Sequence, residues 1–276
     1  MLLDKGANIS TEDQYHRTPL ISAIRAGNVS IVKMLLDRGA KINAKSRDGR
    51  TPLVFAIRAE NMSTVKILLN NGAEIETKDR DGHTPLVHAI RGYKQNITNL
   101  LLDKGADINA KDNIGWTPLI HAIHTKQVAM IEILLDRGAD MNQADEACWT
   151  PVIHAIYTEA GTLVEMLLEK GADVEARTAT GQTPLMFVLE HWSRASSKRS
   201  EVSSIGKMLI LHGADINTKD ASGETPLSIA VKRRHKDVVK LLLAEGAIPE
   251  TKCQSLRAKL AGRSHQGVFK LFRSKP

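Results

Sequence analysis

The stretch Thr117–Asn142, TPLIHAIHTKQVAMIEILLDRGADMN, decides how this chain folds. Thr117 carries a hydroxyl that can cap a helix start, and Pro118 suits the first helical position, where its missing N–H costs nothing. Leu119 to His124 reads as a short helix lined by Leu119, Ala122 and Ile123, with the small Ala letting a neighbouring helix approach closely. A break at Lys126 and Gln127 leads into a second helix whose Met130, Ile131, Ile133, Leu134 and Leu135 follow i, i+3, i+4 spacing. Gly138 supplies the left-handed residue that ends it. A helix pair this short cannot bury its faces alone, so each pair must lean on others.

Repetition supplies the others. Thr-Pro pairs begin at Thr18, Thr51, Thr84, Thr117, Thr150, Thr183 and Thr225, with five intervals of 33 residues and a sixth of 42. Gly stands two residues before the Thr at Gly49, Gly82, Gly115, Gly181 and Gly223. The unit endings also recur in phase, as LLDRGAKIN at Leu35–Asn43 and LLDKGADIN at Leu101–Asn109. The pattern resembles the ankyrin repeat over roughly residues 1–250, in its 33-residue period and its T-P-L-H-x-A signature. That resemblance implies an all-α solenoid of antiparallel helix pairs with projecting β-turn fingers. The signature's fourth-position His is replaced by Ile21, Val54, Val87, Ile120, Ile153, Met186 and Ser228, and a His follows instead at His88, His121 and His154. The turn Gly is lost at His16 and Cys148, which predicts two fingers bent differently from the rest.

The repeat array is expected over 1–251: a partial repeat over 1–17, then repeats starting at 18, 51, 84, 117, 150, 183 and 225. The chain opens on Leu2-Leu3-Asp4-Lys5-Gly6-Ala7, the end of a unit whose first helix is absent, which reads as a fragment or an incomplete gene product, the alternative being a poorly capped N-terminal edge. Nine extra residues, SRASSKRSE at about 193–201, read as a solvated inserted loop, with Ser196 and Ser197 as weak phosphorylation candidates. Residues 252–276 carry seven Lys or Arg and no acid, so the basic pI of about 9.4 belongs to this end. They read as a worn eighth helix pair that caps the array or as a basic interaction tail.

Several function classes drop out. Cys148 and Cys253 have no paired spacing, which removes a disulfide framework and fits a reducing compartment, cytoplasmic or nuclear. No run of 18 apolar residues and no signal-peptide pattern is present. Four glycosylation-type triplets therefore read as unmodified (Asn8, Asn28, Asn61, Asn96), with Asn28 and Asn61 placed to cap helices. There is no phosphate loop, H-E-x-x-H or G-x-S-x-G motif, so neither an enzyme nor a cofactor is expected. The column His88, His121, His154 is not a metal site on this reading. Stacked repeats hold equivalent residues about 8–10 Å apart, and zinc needs nitrogens at about 2.0–2.1 Å. These histidines are expected to be packed and hydrogen-bonded.

The expectation is a binder, a monomeric interaction scaffold or adaptor for a protein partner carrying an acidic or phosphorylated segment. The resemblance implies that partners meet the finger tips and the exposed side of the first helix. Seven residues after each Thr stand Arg25, Arg58, Arg91, His124, Tyr157, Glu190 and Lys232; just before each Thr stand Arg17, Arg50, His83, Trp116, Trp149, Gln182 and Glu224. The candidate contact set is Arg25, Arg58, Arg91, Arg47, Arg50, Arg80, Ile114, Trp116, Trp149 and Tyr157. Two alternatives stay open: a regulatory fragment of a larger enzyme, channel or receptor, or nucleic-acid or membrane binding by the basic tail. The resemblance further implies hydroxylation of motif asparagines such as Asn43, Asn109, Asn142 and Asn217.

Overall fold

The computed structural model describes residues 8–191 and 199–249, and among these it contains fourteen α-helices and no strand. The chain divides into two compact units, Met1–Glu146 and Ala147–Pro276. The first holds α1 (Pro19–Arg25), α2 (Val29–Asp37), α3 (Pro52–Arg58), α4 (Met62–Asn70), α5 (Pro85–Arg91), α6 (Gln95–Asp103), α7 (Pro118–His124) and α8 (Val128–Asp136). The second holds α9 (Pro151–Tyr157), α10 (Gly161–Glu169), α11 (Pro184–His191), α12 (Arg199–Leu211), α13 (Pro226–Arg233) and α14 (Lys236–Ala244). In both units each odd-numbered helix packs against the even-numbered helix that follows it, and the odd-numbered helices stack on one another. None of the described helices is long and apolar enough to cross a membrane.

The local chemistry works as the sequence implies. Thr117 sits in extended backbone and its hydroxyl accepts from the Ile120 N–H at 3.3 Å, with Pro118 at the first helical position. Asn28 and Asn61 cap α2 and α4, each accepting a backbone N–H at 3.0 Å. Lys126 at φ +53° makes the break between α7 and α8. Gly138 at φ +89° ends α8, its N–H bonding Leu135 O while Ala139 N–H reaches back to Leu134 O. Ala23, Ala56, Ala89 and Ala122 are buried where α1, α3, α5 and α7 stack, alongside fully buried Leu20, Leu53, Ile57, Ile90 and Ile123. Burying each such Leu or Ile contributes about 1.5–3 kcal/mol, so stacking neighbours stabilises pairs that could not stand alone.

Fingers in the first unit are tied to their neighbours by the backbone. Arg47 N–H donates to Tyr15 O at 2.9 Å, Arg80 N–H to Asp48 O at 3.1 Å, and Asn113 N–H to Asp81 O at 3.3 Å. In the second unit Ala221 N–H donates to Thr180 O at 3.0 Å.

Two sequence expectations need correction. His16 and Cys148 do not bend their fingers differently: they adopt φ +54° and +60°, the same left-handed region as Gly49 at +77° and Gly115 at +81°. The finger hydrogen bonds, His16 N–H to Asp13 O among them, hold the turn despite the side chain. The inserted segment is not loop to its end either. Arg199, Ser200 and Glu201 form the first turn of α12, which runs 13 residues where the other second helices run nine. The partial repeat's first seven residues, the rest of the insertion with Ser196 and Ser197, and the tail 252–276 lie outside the described residues.

Candidate functional site: the finger and first-helix face

Each finger leads into the first helix that follows it, and in five of the seven the residue just before the Thr meets the residue eight positions later. Arg91 Nη1 lies 2.9 Å from His83 Nε2. Trp116 stacks on His124 with ring centroids 4.1 Å apart, and Trp149 lies 5.1 Å from Tyr157. Gln182 Nε2 donates to Glu190 Oε2 at 2.6 Å, and Lys232 Nζ donates to Glu224 Oε1 at 2.8 Å. Five repeats thus close this contact with complementary groups. In the two N-terminal repeats the same two positions are Arg17 with Arg25 and Arg50 with Arg58, pairs that cannot complement each other.

The consequence is a recess of about 430 Å³ lined by Tyr15, Arg17, Arg25, Ser46, Arg47, Asp48, Arg50, Phe55, Arg58 and Ala59. Arg17 is held by Asp13 at 2.6 Å and lies 4.6 Å over the Tyr15 ring. Arg50 lies 3.2 Å from Asp48 and 3.8 Å from Asp79. Arg25, Arg47 and Arg58 are exposed and have no carboxylate within 4.0 Å among the described residues. Of the candidate contact set, the structure brings Arg25, Arg58, Arg47 and Arg50 together here. Arg91 is not part of the recess, being occupied by His83, and neither is Arg80, exposed on the next finger. Arg17, Tyr15 and Phe55 join the site although the sequence reading left them out of the contact set. Phe55 could have been found, since it takes the register position of His88, His121 and His154.

Beside the recess lies a buried histidine–aspartate network. His88 Nε2 lies 2.9 Å from Asp79 Oδ2, and His121 Nε2 lies 2.9 Å from Asp112 Oδ2. His83 stands between, Nδ1 3.8 Å from Asp79 Oδ1 and Nε2 3.7 Å from Asp112 Oδ2. Burial pushes the His88 and His121 imidazoles down to about 4, against the pull of the aspartates. Burial works to raise the Asp79 pKa, but the His83 backbone N–H and the His88 charge outweigh it and the net shift is downward. His88 and His121 are each hydrogen-bonded to an aspartate of the finger before their helix, as expected, and His154 is buried against Trp149. His83, on the finger and outside that column, stands beside both His88 and His121. With this finger residue, Asp79–His83–His88 and His83–Asp112–His121 each gather ligand-type atoms within 4.8 Å. His83 already meets the Arg91 guanidinium, and His88 and His121 each already meet an aspartate, so the groups of these two clusters satisfy one another.

Trp116 and Trp149 are half-buried, not free on turn tips, because both lie along their own first helices. Trp116 also meets His121 edge-on at 5.4 Å. In the second unit Trp149 packs on Phe187 at 5.0 Å and His154 at 5.5 Å, leaving Tyr157 55% exposed. Ile114, 53% exposed at the turn of its finger, is an open apolar side chain two residues before Trp116. Further along the second unit Glu190 also pairs with Arg233 at 2.6 Å; that hydrogen bond lowers its pKa more than burial raises it.

Comparison with known proteins gives a family and a structural neighbour. Residues 1–79, 42–112, 61–145 and 192–263 match the family model described as ankyrin repeats in three copies. No curated protein matches significantly by sequence. Among solved structures the chain is similar to the ankyrin repeat domain of Bcl-3, described there as a unique member of the IkappaB protein family. That match has a TM-score of 0.70 and 28% identity, covering 82% of this chain and 100% of the other.

Proposed function

We propose that this chain, which belongs to the ankyrin-repeat family, works as a protein-interaction scaffold without catalytic activity of its own. Ankyrin repeats generally act as protein-binding modules. In this chain the contact surface is the face built by the fingers and first helices. The first unit grips an acidic segment of its partner through Arg25, Arg47, Arg50 and Arg58. Ile114 and the exposed edge of Trp116 supply an apolar anchor on the same unit, and Tyr157 with Trp149 a second one on the other unit. The observation that carries this reading is the recess in which three arginines, without carboxylate partners among the described residues, line one open volume. Exposed ion pairs are worth little, whereas Arg, Trp and Tyr are the residues enriched in interface hot spots.

The test is quantitative capture of binding proteins on the immobilised chain from its native proteome. Wild type is compared with Arg25→Glu/Arg47→Glu/Arg58→Glu and with Ile114→Asp. The charge-reversed variant loses the specific partners while keeping its helical circular dichroism. Retention of the full partner set by both folded variants refutes the surface assignment.

A further inference from the structure

We infer that the arginine recess is a binding site for a phosphorylated aromatic side chain, a phosphotyrosine of the partner. The inference rests on the recess being the partner contact and narrows what enters it.

The register break is the first ground. Five repeats close the contact between the residue before the Thr and the residue eight positions on: His83 with Arg91, Trp116 with His124, Trp149 with Tyr157, Gln182 with Glu190, Glu224 with Lys232. The other two place Arg17 opposite Arg25 and Arg50 opposite Arg58, and these are the repeats that line the recess. Like charges gathered there repel, and the one acid lining the recess among the described residues, Asp48, pairs with Arg50. An anion from outside supplies the complement that the neighbouring repeats carry within themselves.

The anion's chemistry follows from the count of open donors. Arg25, Arg47 and Arg58 offer three planar guanidinium forks with no carboxylate partner among the described residues. A carboxylate brings one charge and two oxygens, whereas a phosphate monoester brings a charge of about −1.5 to −2 and three strong acceptor oxygens. The phosphate therefore matches three forks where an aspartate or glutamate of the partner leaves one unmet. The remaining walls decide what carries the phosphate. Tyr15, 47% exposed, and half-buried Phe55 line the same volume, in a chain that is only 4% aromatic. A volume of about 430 Å³ lies within the roughly 300–1,000 Å³ of clefts that enclose organic ligands. An aryl phosphate packs its ring on Tyr15 and Phe55 and presents its oxygens to the arginines; a phosphoserine leaves the aromatic walls uncovered.

The experiment uses the full chain and calorimetric titration with peptides of one neutral flanking sequence, carrying phosphotyrosine, phosphoserine, tyrosine or glutamate at the centre. Phenyl phosphate and inorganic phosphate serve as minimal probes, and phosphatidylserine vesicles as a membrane probe. The phosphotyrosine peptide binds at least tenfold more tightly than the other three. Arg25→Ala and Arg58→Ala each weaken it roughly tenfold, as expected for losing a hydrogen bond to a charged group. Phe55→Ser, which installs the residue found at Ser22 in the same register, lowers affinity for phenyl phosphate but not for inorganic phosphate. Lys66→Ala, exposed on α4, removes the same charge and leaves binding unchanged. Helical circular dichroism and the unfolding midpoint of each variant establish that it is folded. Equal binding of phosphoserine and phosphotyrosine overturns the inference. So does binding that survives in a folded Arg25→Ala/Arg58→Ala variant, or vesicle binding that exceeds the peptide and is lost in that variant. If phosphotyrosine fails while partner capture still depends on Arg25 and Arg58, the protein-binding reading stands and only the phosphate is refuted.

Discussion

Lowering the pH from 7 to 5 should destabilise the chain through two histidines in particular. Folded His88 and His121 stay neutral until about pH 4, while in the unfolded chain each takes a proton near the ordinary 6.5. Between those values the unfolded state binds more protons, so stability is lost as pH falls and regained as it rises. The groups facing His88 are Asp79, His83 and Arg50; those facing His121 are Asp112, His83 and Arg91. Burial dominates the attraction of the aspartates in both cases, which is why the shift is downward despite a carboxylate at 2.9 Å. Integrating the proton difference from pH 7 to 5 gives about 2 kcal/mol for each imidazole and about 4 kcal/mol for the pair. The depressed pKa of Asp79 acts in the same direction, at pH values near and below its ordinary 3.8. Urea unfolding followed by circular dichroism at pH 7 and 5 measures the loss, with His88→Gln/His121→Gln as comparison. The Gln amide can donate where imidazole Nε2 does, but it does not titrate. Wild type should lose about 4 kcal/mol more than the variant between the two pH values. Equal losses would show that these imidazoles are not held neutral, and the burial argument would fail.

Three further outcomes test the packing. Thr98 is fully buried with its hydroxyl unpartnered, while Val32, Val65 and Ile131 hold the same register with no exposure, so Thr98→Val should stabilise by about 1 kcal/mol in urea unfolding. His16 pays the left-handed strain that glycine avoids, and His16→Gly should raise stability by about 1 kcal/mol, less the Glu12 contact at 2.8 Å, read by thermal unfolding. Gly39 and Gly82 share φ near +82°, but a Cβ on Gly82 would stand 2.5 Å from Asn113 N where one on Gly39 meets nothing. Gly82→Ala should therefore cost at least 1 kcal/mol more than Gly39→Ala, and equal costs would mean the fingers are not packed on one another.

The helices, their caps and their stacking were legible because each depends on neighbours in the chain. Thr117 with Pro118, the apolar spacing through Leu135 and the stop at Gly138 are local signals, and repeating them every 33 residues specifies the array. The turn at His16 was misread because composition gave the preference for glycine but not the hydrogen bonds that force the same φ on another residue. The start of α12 at Arg199 was missed for a related reason: Ser, Lys and Arg read as loop, yet Val202, Ile205 and Leu209 lie buried on one face and carry the helix back into the inserted residues.

The site was only half legible, and the reason is geometric. Comparing one position down the repeats finds columns, so Arg25, Arg58 and Arg91 looked equivalent. The finger, however, leads into the helix that follows it, and what decides each residue's state is the partner eight places away in the same repeat. Arg58 faces Arg50 and stays open; Arg91 faces His83 and is taken. Arg47 and Arg80 differ for the same cause. They stand one period apart, yet Arg47 lies beside two unpaired arginines and Arg80 beside a repeat whose contact is closed. Equivalence in register therefore fixes where a side chain starts and leaves its environment to a second residue. It follows that exchanging the pair, not the column, should move the site. Arg50→His should hand Arg58 the partner that Arg91 has, close the second repeat and weaken anion binding by as much as deleting Arg58 does. If Arg50→His leaves anion affinity at the wild-type value, the row-wise account of this face is wrong.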